Sequence, residues 1–281
     1  MVLPMTVTTK DKDISAFTDL GITECNWQLF NSDLLDPSKA VSTIQSYGLD
    51  VVSLHSPFND KRIAPLLEYF DSSDFQERVL LAAEEICCLL DKHLPIVFHS
   101  ALPRYALDVV KRQAEALGRV LEKCPHLDIL IENVGMGYPL SYYIHDIPKA
   151  IPETVQEFNK YLPRPIYSCL DVCHTEIVDR VGKLIYKEGI IAEEPPAILD
   201  FFKEFGASCR LVHFANTQGY GTLRNHGLGF DLEDTEQLKT YLNLCKTYLP
   251  QAKIVLEISE TDYATRPNLV KTIATLTHID I

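Results

Sequence analysis

No stretch of about 18 consecutive apolar residues, the length a helix needs to cross a bilayer, occurs in the 281-residue chain, so no membrane span is expected. The opening Met-Val-Leu-Pro-Met-Thr-Val also lacks a charged leader followed by a long apolar run, and the expectation is a cytoplasmic protein. An excess of basic residues is missing too. The formal net charge of -13 gives no global attraction to nucleic acid or to an anionic membrane, which favours small substrates while leaving a local basic groove open. The eight cysteines, Cys25, Cys87, Cys88, Cys124, Cys169, Cys173, Cys209 and Cys245, include no Cys-x-x-Cys pair and fall in apolar segments. Buried free thiols in a reducing compartment are therefore expected, not disulfides. No low-complexity linker or shift in composition divides the chain, and residues 1–281 read as one domain. The 46% of hydrophobic residues suffices for a sizeable core in a unit of this length.

Short β-branched and apolar runs recur, each followed by a longer helical pattern, as in βαβ units that build a parallel sheet. Eight such runs are visible: Leu3 to Thr8, Ile22 to Leu29, Val51 to His55, Ile96 to His99, Ile129 to Glu132, Tyr167 to Asp171, Arg210 to His213 and Ile254 to Glu257. Val51-Val52-Ser53-Leu54 and Ile254-Val255-Leu256 are nearly continuous apolar runs, as strands covered on both faces require. Eight of them predict a closed (β/α)8 TIM barrel. Asp36 as N-cap, Pro37 at the first helical position and Gly48 just past the end frame one helix. Ser73 caps another that runs through Val79, Leu80, Ala83, Ile86 and Leu90, and Glu193-Glu194-Pro195-Pro196 opens one that closes near Gly206.

From the third run onward, the terminal residues are His55, His99, Glu132, Asp171, His213 and Glu257. The C-terminal ends of barrel strands share one face, so residues roughly 30 to 45 positions apart become neighbours there. Carboxylates crowded at one mouth raise one another's pKa unless a cation neutralises them. Glu132, Asp171, His213 and Glu257 make a mixed oxygen and nitrogen shell suited to Mn²⁺, Zn²⁺, Co²⁺ or Fe²⁺. His174, three residues beyond Asp171, is placed on the loop over the mouth as a further ligand or substrate contact. After the seventh run come Asn216, the glycine-rich Gly219-Tyr220-Gly221 and Arg224-Asn225-His226, where Arg224 could grip a phosphate or hydroxyls. Glu132-Asn133-Val134-Gly135-Met136-Gly137 repeats that theme after the fifth run. His93, His126, His145 and His278 read as surface or capping residues, Cys173 as a buried thiol, and Trp27 and Phe58 as core packing or a stacking surface.

These residues resemble the xylose-isomerase-like TIM barrels, a superfamily of sugar and sugar-phosphate isomerases and epimerases, myo-inosose dehydratases and endonuclease IV. The resemblance spans nearly the whole chain, from Val51-Val52-Ser53-Leu54-His55-Ser56-Pro57 to Ile254-Val255-Leu256-Glu257, and rests on Glu132, Leu170-Asp171-Val172-Cys173-His174, His213-Phe214-Ala215-Asn216-Thr217 and Glu257. It implies an isomerase or epimerase in which Glu132, Asp171, His213 and Glu257 hold one ion that stabilises an enediolate. Glu132 and Glu257 would move the proton, while His174, Arg224, His226 and Asn216 contact a sugar or sugar phosphate. The endonuclease IV branch is similar in further detail, implying up to three zinc ions with His55, His99, His174 and His226 as additional ligands and abasic-site DNA as substrate. There, however, Arg224 stands where that branch has an aspartate, and a guanidinium is repulsive toward a cation. A metal-binding barrel without catalysis is the third reading, and homo-oligomerisation is left open.

Overall fold

The computed structural model of the chain describes residues 6–10, 13–57, 74–100, 107–134, 147–218 and 226–279. In chain order the first half comprises β1 (Thr6–Thr8), α1 (Ser15–Asp19), β2 (Glu24–Gln28), α2 (Asn31–Leu35), α3 (Pro37–Ser46), β3 (Asp50–His55), α4 (Asp74–Leu90), β4 (Leu94–His99), α5 (Leu107–Leu121) and β5 (Leu127–Glu132). The second half comprises α6 (Ile147–Phe158), β6 (Tyr167–Asp171), α7 (Val172–Lys187), α8 (Ile198–Phe205), β7 (Cys209–Phe214), β8 (Asn216–Thr217), β9 (His226–Leu228), α9 (Thr235–Tyr248), β10 (Lys253–Leu256) and α10 (Pro267–Thr277). Eight strands close into a barrel in the order β1-β10-β7-β6-β5-β4-β3-β2. Every pairing in it is parallel, including the closing pairs of β1 with β10 and with β2. The eight runs expected from the sequence are these strands, with ends shifted by up to two residues, the start of the first run lying outside the described residues.

Alternation along each strand explains how the site is built. Outward-facing Ile96, Phe98, Ile129, Ile131, Leu170, Val212, Phe214 and Leu256 pack under the helices in the main core. Inward-facing Val97, Leu130, Cys169, Leu211 and Val255 form a separate cluster inside the barrel. Two residues further along each of these chains, on the same face, stand His99, Glu132, Asp171, His213 and Glu257. An apolar plug thus floors a polar layer at the C-terminal end. Register finishes the alignment, setting His99 level with Glu132 and Asp171 level with His213 across adjacent strands.

Local signals act as expected at α3, where the Asp36 carboxylate accepts from the Lys39 amide at 3.1 Å and Gly48 takes φ +63° just past the end. The Ser73 cap expected for α4 lies outside the described residues. Three expectations are corrected. α8 begins at Ile198, not within 193–196, because Pro196 disfavours helical backbone in Pro195, and the effective start is Ala197, whose amide donates to Asp200 Oδ2 at 2.9 Å. His174 lies in the first turn of α7, not on a loop, because Asp171 caps that helix directly at the end of β6, accepting from the His174 amide at 2.8 Å. Among the described residues no helix is long and apolar enough to cross a membrane. All eight cysteines are free, but the expectation of burial fails for Cys88, which the surface of α4 leaves exposed.

Candidate metal centre

The fully buried Glu132 carboxylate is the hub of the mouth. Its Oε1 lies 3.1 Å from His213 Nδ1 and 3.7 Å from His174 Nδ1, and its Oε2 lies 3.3 Å from His55 Nε2 and 3.5 Å from His99 Nε2. His213 Nδ1 is also 2.7 Å from Glu257 Oε2, yet that oxygen receives no properly directed hydrogen bond. One ring nitrogen therefore faces two carboxylates. His55, Glu132, His213 and Glu257 form one group whose donor atoms all lie within 4.8 Å of one another. Bonds of about 2.0–2.2 Å set neighbouring ligands roughly 2.8–3.1 Å apart around a six-coordinate ion and roughly 3.3–3.6 Å apart around a four-coordinate one; the separations of 3.1 and 3.3 Å fall in those ranges, and the 2.7 Å pair has to open slightly.

The outer hydrogen bonds point the same way. His55 Nδ1 lies 2.8 Å from the Ser56 carbonyl, which can only accept, so Nδ1 carries the proton and the Nε2 lone pair faces the Glu132 carboxylate. Two lone pairs in that position require a proton or a cation between them. A backbone carbonyl on the far ring nitrogen is also the usual support of a metal-binding imidazole. His213 Nε2 lies 3.2 Å from the Asn26 amide nitrogen, while the buried Asn26 Oδ1 has no partner. Turning that amide over sets Oδ1 on both His213 Nε2–H and the Thr8 hydroxyl, which leaves Nδ1 free as a ligand.

A second group adjoins the first: Asp171, His174 and His226. His174 Nδ1 is 2.7 Å from the Asn133 carbonyl and 3.3 Å from Asp171 Oδ2. Its Nε2 meets His226 Nε2 at 2.6 Å, with the rings stacked at 4.6 Å between centroids. The short antiparallel pair β8–β9 carries His226 over the mouth, and Gly227 at φ +73° is the extra residue where the β8–β9 register shifts, between His226 and Leu228. The two groups divide the ligands expected from the sequence, placing Glu132, His213 and Glu257 with His55, and Asp171 with His174 and His226.

Electrostatics reflect the crowding. Burial would raise Glu132, but His213 and His99 hold it well below the usual carboxylate range. For Glu257 burial is likewise outweighed, by Lys10 and His213. His213 is raised well above an ordinary imidazole, because Cys169, Glu257 and Glu132 overcome its burial. Burial, against the pull of His174 and with Glu132 and Glu257 adding to it, pushes Asp171 up to about 6. Burial lowers His99 to about 4, and burial with His174 and Lys10 lowers His226 to about 3. Both are neutral at pH 7, the state in which imidazole binds metal.

Lys10 is one residue that sequence reasoning missed. Two positions beyond β1, its ammonium lies 3.0 Å from Glu257 Oε1 and 3.3 Å from the Ser259 hydroxyl. Following the first strand to its end would have found it, but lysine is not a ligand type and drew no notice. Asn133 was also passed over as a site residue. Its side chain accepts from the Asp171 amide at 2.7 Å and donates to the Asp171 carbonyl at 3.1 Å, tying β5 to β6 at the mouth. Asn216 donates to Asp234 Oδ2 at 2.9 Å. Arg224, the two glycine-rich loops, Phe58 and His145 lie outside the described residues. Trp27 is buried with its indole N–H on Asp33 at 3.3 Å, and Cys173 is a buried thiol. His93 pairs with Asp128 at 3.1 Å, and His278 bonds the Ala274 carbonyl at 2.7 Å.

No family model matches the sequence, and no curated protein does. Solved structures do. A putative xylose isomerase from Rhodospirillum rubrum superposes with a TM-score of 0.67 at 10% identity, covering 99% of this chain and 100% of that one. A D-tagatose 3-epimerase-like protein gives 0.59 at 15% identity, covering 98% and 96%. Endonuclease IV from Thermus thermophilus gives 0.50 at 17% identity, covering 98% of each. Each of these structures shares the fold of this chain, a single (β/α)8 barrel, over essentially its full length. At these identities the likeness establishes the fold, and the reaction has to be argued from the mouth itself.

Proposed function

We propose that this protein is a cytoplasmic, divalent-metal-dependent isomerase or epimerase of a sugar or sugar phosphate. The observation that carries the reading is the convergence of two carboxylates, Glu132 and Glu257, on the single His213 Nδ1 at 3.1 and 2.7 Å. Glu132, His213, Glu257 and His55, with Asp171 beside them, would hold the ion, of the Mn²⁺, Zn²⁺, Co²⁺ or Fe²⁺ class. When bound, such an ion supplies positive charge opposite the oxygen that becomes anionic as a proton leaves the neighbouring carbon.

The chain's own groups do the rest. One of the two glutamates takes the proton from carbon, and the electron pair left behind forms a C–C double bond as the carbonyl pair moves onto oxygen. The other, having drawn a proton from solvent, returns one to the carbon framework. Lys10 keeps Glu257 ionised and oriented, Asn133 holds the Asp171 backbone, and His174 and His226 stand where substrate hydroxyls would lie. The apolar plug beneath closes the mouth to water from below. The test is exchange of substrate C–H with solvent deuterium across a panel of sugars and sugar phosphates, in manganese- or zinc-loaded protein. Exchange is expected, with loss in Glu132→Gln, and an extensive panel showing neither exchange nor turnover refutes the proposal.

A second reading is a zinc-dependent phosphodiesterase acting at abasic sites in DNA. The Asp171–His174–His226 group favours it, being a second set of donors next to the first. The net charge of -13 weighs against a DNA substrate. Cleavage of an abasic-site duplex, lost in Glu257→Gln, would establish this reading in place of the first.

A further inference from the structure

At the opposite end of the barrel stands a third cluster of ligand-type side chains. Glu84 and Cys88 lie four residues apart on one face of α4, and His126 immediately precedes β5. Glu84 Oε1 is 2.6 Å from His126 Nδ1, and Cys88 Sγ is 3.7 Å from Glu84 Oε1 and 3.7 Å from His126 Nδ1.

We propose that Glu84, Cys88 and His126 form a second divalent transition-metal site, of the zinc class, separate from the barrel mouth, with its remaining coordination position open to solvent. Zn–S bonds of about 2.3 Å and Zn–N or Zn–O bonds of about 2.0–2.1 Å at tetrahedral angles set sulfur roughly 3.5–3.6 Å from the other two donors. Both observed sulfur separations, 3.7 Å, agree. The oxygen–nitrogen pair, now a hydrogen bond at 2.6 Å, has to open to roughly 3.3 Å as the ion replaces the shared proton. That is a small rotation of one carboxylate.

Two of the three donors are held by the backbone before any ion arrives. Glu84 is buried and accepts from the His126 amide at 3.1 Å, while the His126 carbonyl accepts from the Leu94 amide at 2.9 Å. The imidazole is therefore tied to α4 on one side and to the start of β4 on the other. Cys88 is the one exposed cysteine of the eight, and it sits where the sulfur completes the set. One carboxylate, one imidazole and one thiolate, with one open position, match borderline ions such as Zn²⁺ or Co²⁺ better than Mg²⁺ or Ca²⁺. A bound ion would clamp the last turns of α4 to the edge of the β-barrel floor.

Cobalt distinguishes this site from the mouth, whose proposed donors include no sulfur. The holoprotein is stripped with chelator, kept reduced and titrated with Co²⁺ alone. A near-ultraviolet thiolate-to-cobalt band is expected in wild type and in His213→Ala. It should be absent in Cys88→Ser, which being exposed should fold normally, should be lost in His126→Ala, and should disappear on titration with Zn²⁺. Absence of the band in wild type, or its persistence in Cys88→Ser, overturns the proposal; the second result would assign the sulfur to Cys169 or Cys173 near the mouth.

Discussion

Replacing Lys10 by Met removes the ammonium 3.0 Å from Glu257 Oε1 and keeps most of the side-chain volume. At an effective dielectric constant of about 20, a charge pair at that distance interacts by roughly 5 kcal/mol, and deleting one partner of a buried pair commonly costs about 3–5 kcal/mol. Lys10 retains some exposure, and His213 stays 2.7 Å from the other Glu257 oxygen, so the loss should be smaller. We expect about 2–3 kcal/mol in metal-free protein. An ion held by Glu132, His213 and Glu257 takes over the neutralisation of Glu257, and in metal-loaded protein the same substitution should cost about 1 kcal/mol. Linkage requires the difference of about 1–2 kcal/mol to appear as metal binding roughly 5- to 30-fold tighter in the variant. Calorimetric titration of chelator-stripped wild type and Lys10→Met with Mn²⁺ or Zn²⁺ at pH 7 measures it. Equal or weaker binding in the variant would refute the placement of the cation beside Glu257.

Three further outcomes follow from the same geometry. Asn133→Ala removes two buried hydrogen bonds to the Asp171 backbone and should cost about 2–4 kcal/mol in chemical unfolding while weakening metal binding; a loss below about 1 kcal/mol with unchanged affinity would show that Asn133 does not position Asp171. Gly227→Ala places a Cβ 2.7 Å from the Ser259 hydroxyl in left-handed backbone. It should cost about 1–3 kcal/mol and displace His226, seen as altered titration of the His226 ring by NMR. Asp171 in metal-free protein should titrate near 6 by carboxyl NMR, because burial favours its neutral form. The sign follows: its folded pKa is raised, so its contribution to stability is complete below about 4, is lost as pH rises through 6, and metal affinity falls as pH drops below that point. A midpoint near 4 would contradict this.

The strand-end positions were legible because a parallel barrel enforces a strict rule. Inward residues alternate along each strand, and all C-terminal ends share one face, so His99, Glu132, Asp171, His213 and Glu257 could be placed together from spacing alone. The first strand escaped the same treatment because it ends near a lysine, and Lys10 became visible only as the partner of Glu257. His174 was misplaced onto a loop because the capping role of Asp171 was read as ligand chemistry only, whereas the carboxylate serves the helix start as well. His126 and Cys88 gave no sequence signal, since nothing in their local pattern shows that α4 passes beside the start of β5.

Periodicity and residue type by themselves determined the eight strands, the closed barrel and the acid- and imidazole-rich mouth. Those properties depend on alternation and on the common direction of parallel strands, both of which are local. Tertiary structure alone decided how the donors divide, with His55 joining Glu132, His213 and Glu257 while Asp171 goes with His174 and His226. That division depends on strand stagger, on where a helix begins and on which backbone carbonyl meets each ring nitrogen. Such distances are set by packing across the barrel, to which no single stretch of chain has access.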